Sequence, residues 1–148
     1  MPVNPDLVGR EFSPTAPYLV GREKVREFAR AVFADAPQHT DLEAARAAGF
    51  ADLVAPPTFA MVVQDHTLQQ LLALEDSGIV LARTIHAEQR FAYTRPIVAG
   101  DELTGQLRVT GIRTLGGNAM ITSEAEITDA EGAPVVTATS VLLVGEGE

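Results

Sequence analysis

The sequence predicts a single α+β domain, residues 1–148, in which helices come first and antiparallel strands follow. Apolar residues recur every three or four positions only in the first half of the chain, which is typical of amphipathic helices. From about residue 85 onward apolar and polar residues alternate, which is typical of half-buried strands. The chain has 148 residues, 46% of them apolar, and no internal repeat, so it is suited to one core.

Two helices are expected before residue 50, after a Pro-rich lead-in with a short strand near Tyr18–Val20. The first spans Arg22 to Phe33, where apolar residues fall on one face: Val25, Phe28, Ala29, Val32 and Phe33. Its other face carries basic residues, which favour either a solvated surface or a docking surface for an acidic acyl-carrier protein: Arg22, Lys24, Arg26 and Arg30. The second helix spans Leu42 to Ala48, with Asp41 as its N-cap and Gly49 at its C-terminal cap.

A third and longer helix is predicted from Pro57 to about Asp76, ended by Gly78. Proline suits the first turn of a helix, where its missing N–H costs no hydrogen bond. The first turns, residues 59–63, are apolar all round, so this helix is expected to be buried at the centre of the fold.

Four strands are predicted in the rest of the chain, at residues 85–94, 103–110, 121–128 and 135–144. The segments Gly116-Gly117-Asn118 and Asp129–Gly132 have the composition of hairpin turns.

Composition excludes several classes of function. The net charge of −9 argues against nucleic acid as a partner, because phosphate binding requires a basic surface. The chain has no cysteine, and its three histidines and its acidic residues show no metal-ligand spacing, so we expect no metal and no disulfide. There is no apolar run of membrane-spanning length, and we expect a cytoplasmic protein without a membrane partner.

The stretch from Ala34 to Phe59 is the most specific part of the sequence. It places His39 in a Pro-containing turn before a small-residue helix, and Pro37, His39 and Asp41 match the loop pattern D-x-N-P-x-H-x-D. Further on, residues 95–103 match R-P-x-x-x-G-D-x-L. These motifs resemble the MaoC-like (R)-specific hydratase and dehydratase family, over nearly the whole chain. The resemblance implies a hot-dog fold, a curled antiparallel sheet wrapped around a long central helix.

Within that family the sequence is most similar to actinobacterial subunits that pair with a second hot-dog chain to dehydrate 3-hydroxyacyl thioesters in fatty-acid metabolism. Its basic residues are ten Arg and one Lys, with abundant Ala, a bias that agrees with such an origin. The resemblance implies a hydro-lyase without a cofactor, whose acyl chain is carried on coenzyme A or acyl-carrier protein. It also implies a homodimer or a heterodimer with another hot-dog chain.

The sequence departs from the family pattern at two catalytic positions. The first Asp of the loop falls on Ala34, with Asp35 one place later, and the helix-start Gly falls on Pro57. Proline has no N–H to donate to a thioester oxygen, so the N–H of Thr58 or Phe59 would have to replace it.

The expected chemistry is positioned acid–base catalysis. We expect His39 to take the C2 proton and Asp35 to protonate the leaving hydroxyl. A backbone N–H at the helix start would stabilise the enolate-like oxygen. The predicted substrate-binding residues lie at the helix start and around the first long strand: Pro57, Thr58, Phe59, Phe91, Tyr93 and Arg95. Arg95, like Arg90, is placed either to meet a phosphate of the carrier or to form a cross-strand ion pair.

Four functions remain open at this point. The chain is interpreted first as a dehydratase subunit that shapes the acyl tunnel and depends on a hot-dog partner for full catalysis. A self-sufficient homodimer would require Asp35 to act as the missing carboxylate. The third function is that of a non-catalytic acyl-thioester binding module. The fourth, less favoured, is that of a thioesterase that uses Asp65 on the central helix.

Overall fold

The computed structural model describes residues 2–147, in which three helices precede most of a five-stranded sheet. The helices are α1 (Arg22–Ala31), α2 (Leu42–Ala47) and α3 (Ala60–Leu72). The strands are β1 (Tyr18–Leu19), β2 (Thr84–Tyr93), β3 (Glu102–Leu115), β4 (Asn118–Thr128) and β5 (Pro134–Val144). The sequence therefore predicted the order and type of these elements correctly.

The sheet is antiparallel throughout, with the strand order β1-β3-β4-β5-β2. It curls around α3, which packs against β3, β4 and β5. Buried and less buried side chains alternate along β4 as predicted, with Ile121, Ser123, Ala125 and Ile127 buried. This is the predicted hot-dog architecture.

The central helix approaches the sheet closely at Gly105 of β3. A Cβ atom at this position would lie 2.7 Å from Cγ2 of Thr67 on α3. Glycine allows this close packing, because a larger residue would collide with the Thr67 methyl group.

Two helix ends differ from the prediction. The first helix stops at Ala31, and Phe33 adopts the left-handed conformation with φ 58° and is 91% exposed, so it does not extend the apolar face. The central helix begins with a 3₁₀ turn, Pro57–Phe59, and ends at Leu72 rather than near Asp76. The residues after Leu72 form turns that lead to Gly78, where the backbone has φ 73°.

Two strand details also differ. β3 continues to Leu115, beyond the predicted end at Thr110, because its hairpin with β4 pairs all the way to Asn118. A bulge between His86 and Glu88 breaks the predicted alternation of β2, which leaves Ile85 63% exposed.

Candidate active site

A cavity of about 500 Å³ lies beside the start of the central helix. Its walls come from the 3₁₀ turn Pro37–His39, from the segment that leads into the helix, and from the end of β2 with the loop that follows. The lining residues are Gln38, His39, Phe50, Val54, Ala55, Pro57, Tyr93, Thr94, Arg95, Pro96 and Ile97. Three segments far apart in sequence thus meet around one histidine.

His39 is only 8% exposed, and its ring is fixed by one hydrogen bond. Its Nδ1 lies 2.6 Å from the carbonyl oxygen of Val54. A carbonyl only accepts, so Nδ1 carries the proton and donates it. In the neutral ring this leaves Nε2 unprotonated, which makes it the nitrogen that can act as a base.

The backbone around His39 is anchored to the same residue. The Val54 N–H donates to the Gln38 carbonyl at 3.0 Å, so Val54 holds this turn through both its N–H and its carbonyl. Just after the turn, Asp41 accepts hydrogen bonds from Glu43 and Ala44 and caps α2, as predicted. The histidine is therefore held on an ordered support.

Asp35 does not meet His39. It is exposed, and its carboxylate makes no hydrogen bond or ion pair with any residue from 2 to 147. No Asp or Glu in that part of the chain lines the cavity either. The structure thus places a histidine at the cavity without the predicted carboxylate beside it.

The start of the central helix leaves one backbone N–H without a partner among residues 2–147. Pro57 lines the cavity and has no N–H, and the Phe59 N–H donates to the Pro56 carbonyl at 2.9 Å. The Thr58 N–H has no protein acceptor within the described range, and Thr58 is exposed and is not among the residues that line the cavity. The Phe59 ring is fully buried and meets Phe28 edge to face at 5.2 Å, so it belongs to the core and does not line the cavity.

Tyr93 lines the cavity and secures this helix start. Its hydroxyl donates a hydrogen bond to the Pro57 carbonyl. Burial raises the pKa of the Tyr93 phenol to about 12, and the Ala60 N–H offsets part of that rise. Phe91, two residues earlier, packs against the core beside the Tyr93 ring, with 6.2 Å between ring centroids, and does not line the cavity.

Arg95 lines the cavity but is engaged by two carboxylates. Its guanidinium lies 2.8 Å and 3.2 Å from the two oxygens of Asp101 and 3.3 Å from Asp129. The hydrogen bonds with Asp101, and further pairing with both acids, raise the pKa of Arg95 above its usual value. The sequence allowed either a phosphate contact or an ion pair at Arg95, and the structure shows the ion pair.

The remaining candidates lie away from the cavity. Asp65 is exposed on α3, where its only side-chain partner among the described residues is Gln69 at 3.5 Å. His86 is exposed on β2, 2.9 Å from Gln89. On α1, acidic neighbours pair with most of the predicted basic surface: Arg22 with Asp52, Lys24 with Glu27 and Arg26 with Glu23.

Several residues that line the cavity were not predicted from the sequence, because they are apolar or amide residues without a distinctive motif. Gln38, Phe50, Val54 and Ile97 belong to this group. Gln38 was detectable, since it adjoins His39 in the recognised loop. Ile97 follows Pro96 and Val54 lies two residues before Pro56, but nothing local indicates that these two segments lie side by side.

Two features are absent from residues 2–147. No cluster of three or more His, Asp or Glu side chains there could hold a metal ion. Within the same range, no helix has both the length and the apolar character needed to cross a bilayer.

A sheet curled around a central helix, with a buried histidine beside the helix start, defines a hot-dog protein of the hydratase and dehydratase class. Residues 6–138 match the model of the family described as FAS1-like, dehydratase domain region. The chain belongs to this family, as the sequence motifs predicted.

Named relatives come from actinobacteria. A UPF0336 protein of Clavibacter michiganensis subsp. michiganensis is 63% identical over 97% of both chains. The UPF0336 protein SCO4636 of Streptomyces coelicolor is 41% identical over 100% of this chain and 99% of that protein.

Solved structures agree with this placement. A MaoC-like dehydratase superposes with a TM-score of 0.86 and 36% identity, covering 95% of this chain but only 42% of the other, so this chain spans less than half of that protein. The HadBC (3R-hydroxyacyl-ACP dehydratase) complex of Mycobacterium tuberculosis gives a TM-score of 0.82 and 31% identity, covering 93% of this chain and 97% of that one.

Proposed function

We propose that this protein is a subunit of a (3R)-hydroxyacyl-thioester dehydratase, or (R)-specific enoyl hydratase, of fatty-acid metabolism. In this proposal it shapes the acyl site and depends on a second hot-dog chain for full catalysis. The observation on which this depends is His39, held as the Nδ1–H tautomer at a cavity without a carboxylate. The cytoplasmic location predicted from the sequence is part of the same proposal.

The base is the part of the chemistry that this chain supplies. With Nδ1 bound to Val54, the free Nε2 of His39 takes the C2 proton of the 3-hydroxyacyl thioester. The Thr58 N–H, at the positive end of the helix dipole, is the donor that we assign to the thioester oxygen as charge develops on it. The reaction breaks the C2–H and C3–O bonds, forms the C2=C3 double bond and releases water without net oxidation or reduction, so the proposal includes no cofactor beyond the carrier of the acyl group.

The acid is the part that we assign to a partner. Expulsion of hydroxide from C3 requires a proton donor, and Asp35 is exposed and separate from His39. A carboxyl group brought by another hot-dog chain would complete the site. Two observations support such a partner: β2 lies at an edge of the sheet with unpaired backbone groups, and the structural neighbours include the HadBC and ChsH1-ChsH2 complexes.

The test is hydration of an enoyl-coenzyme A, followed by loss of the absorbance of the conjugated double bond. The chain alone is expected to bind the thioester and to hydrate it slowly. Addition of a hot-dog chain with an intact D-x-N-P-x-H loop should raise the rate. In that assembly, His39→Gln should lower kcat by about 10²–10⁴-fold, the usual contribution of a positioned base.

His66→Gln and His86→Gln are matched controls, since both residues are exposed and lie outside the cavity. Rapid turnover by the chain alone, abolished by His39→Gln, would replace the subunit proposal with the homodimer. Thioester binding without turnover in any assembly would favour the non-catalytic binding module, which the missing acid also supports. Hydrolysis of the thioester, lost in Asp65→Asn, would instead identify a thioesterase.

A further inference from the structure

We infer that Arg95 is a positioning residue, which holds His39 in its reactive tautomer through a continuous series of hydrogen bonds. This inference rests on the proposed function only in treating His39 as the base. It assigns to Arg95 a role other than the phosphate contact that its place beside the cavity first suggests.

Arg95 joins two turns at one end of the sheet. Its bidentate pair with Asp101 spans the loop between β2 and β3, and its contact with Asp129 reaches the turn between β4 and β5. Asp101 also accepts the Val98 N–H at 3.0 Å, and Asp129 accepts the N–H of Ala133 at 2.9 Å. The loop after β2 is thereby fixed to the rest of the sheet.

The opposite side of this loop supports the segment that precedes the central helix. Val54 and Val98 form an isolated antiparallel bridge. The Ala55 N–H donates to the Ile97 carbonyl at 2.8 Å, and the Ala99 N–H donates to the Leu53 carbonyl at 2.9 Å. Residues 53–55 therefore depend on residues 97–99 for their position.

Val54 then fixes the catalytic turn. Its N–H donates to Gln38 and its carbonyl accepts Nδ1–H of His39 at 2.6 Å. A displacement of the loop after β2 moves Val54, and a displaced Val54 carbonyl no longer selects the tautomer. Each step from Arg95 to His39 is a direct hydrogen bond or a backbone bridge.

The charge balance argues against phosphate binding by Arg95. One guanidinium faces the carboxylates of Asp101 and Asp129, so the group of three carries a net negative charge. An incoming phosphate would meet that charge and would have to displace a bidentate pair. The guanidinium is better suited here to hold the loop than to bind an anion.

The test is the state of the His39 ring, read from long-range ¹H–¹⁵N spectra of the full chain, with the ring assigned by His39→Gln. In the unmodified protein we expect one Nδ1–H tautomer, slow to exchange with water. In Arg95→Met we expect a mixture of tautomers and exchange of the Nδ1 proton faster by roughly tenfold, the effect of weakening one hydrogen bond. Arg95→Lys should fall between the two, because an ammonium cannot make the bidentate pair.

Two further variants keep the inference refutable. Asp129→Asn removes the ion pair but keeps the amide oxygen that accepts the N–H groups of Glu131 and Ala133, so it decides the outcome if Arg95→Met does not fold. Arg108→Met is the matched control, since it removes an exposed cross-strand pair with Glu124 far from the cavity lining. A His39 ring unchanged in both Arg95→Met and Asp129→Asn overturns the inference, as does an equal change in Arg108→Met.

A kinetic measurement separates positioning from phosphate binding wherever turnover is found. A positioning role predicts that Arg95→Met lowers kcat by about 10–10²-fold with little change in KM. The loss should be equal for a coenzyme A thioester and a phosphate-free pantetheine thioester. A higher KM confined to the coenzyme A substrate overturns the inference. If no assembly turns over, the proposed function fails while the spectra still decide the role of Arg95.

Discussion

Substitution of Tyr93 by Phe tests how the start of the central helix is held. The Tyr93 hydroxyl donates a hydrogen bond to the Pro57 carbonyl at the first turn of this helix start. Phe keeps the ring, removes this hydrogen bond and leaves the Pro57 carbonyl without that donor. A hydrogen bond contributes about 1 kcal/mol net, and a buried partner left unpaired costs about 1–3 kcal/mol. Because Tyr93 is only half-buried, we expect a loss of about 1–2 kcal/mol, or a fall in Tm of about 2–6 °C.

The pH dependence gives this prediction a second measurement. The pKa of Tyr93 is about 12 in the folded protein, against 10.0 for the unperturbed phenol. A pKa raised by folding adds stability that is complete below the unfolded value and is lost as pH rises through the folded value. The stability difference between the unmodified protein and Tyr93→Phe should therefore shrink between about pH 10 and 12.

The assay is urea unfolding of both proteins from neutral to alkaline pH. Tyr18→Phe is the control, because the Tyr18 hydroxyl makes no hydrogen bond within residues 2–147, and its effect at neutral pH should stay within about 0.5 kcal/mol. Equal stability losses for the two variants, or a difference for Tyr93→Phe that stays constant up to pH 12, would refute the assigned role of the hydroxyl.

Three further predictions concern stability and are measured by thermal or urea unfolding. Phe33→Gly should stabilise the chain by about 0.5–1.5 kcal/mol, because it relieves a left-handed φ of 58° at an exposed side chain, and any loss of stability would contradict this. Gly105→Ala should cost about 1–3 kcal/mol, since its Cβ would lie 2.7 Å from Cγ2 of Thr67; Thr67→Ser, which removes that methyl group, should recover much of the loss in a double-mutant cycle. Asp52→Asn should destabilise the protein at neutral pH but not in acid. Its hydrogen bond with Arg22 lowers the pKa of Asp52, so the difference should vanish as pH falls through that lowered pKa.

The elements predicted correctly are those whose determinants are local. Asp41 caps α2 because its own side chain reaches the next N–H groups, and Gly49 follows that helix with φ 96°. Alternation located β4, since one face of that strand is buried in the core. The predictions that differ from the structure concern positions whose conformation depends on a neighbouring element. The bulge of β2 depends on its register with β5, and the end of the central helix at Leu72 depends on how the following turns pack.

In the candidate site, too, features set by local sequence were predicted, and contacts between distant segments were not. The loop pattern located His39 and the Pro57 helix start, and both line the cavity. The pattern did not show that Val54 fixes the histidine ring, because that contact joins residues 15 positions apart. Nor did it show which acids engage Arg95, one 6 and the other 34 residues away.

By itself, the sequence determined the order of helices and strands, the buried central helix and a histidine turn of the dehydratase family, because periodicity, capping and turn residues act over a few positions. Only the tertiary structure decided the protonated nitrogen of His39, the separation of Asp35 from it, and the engagement of Arg95 by two carboxylates. Those properties depend on distances between segments remote in the chain, which are set by how the sheet curls around the helix.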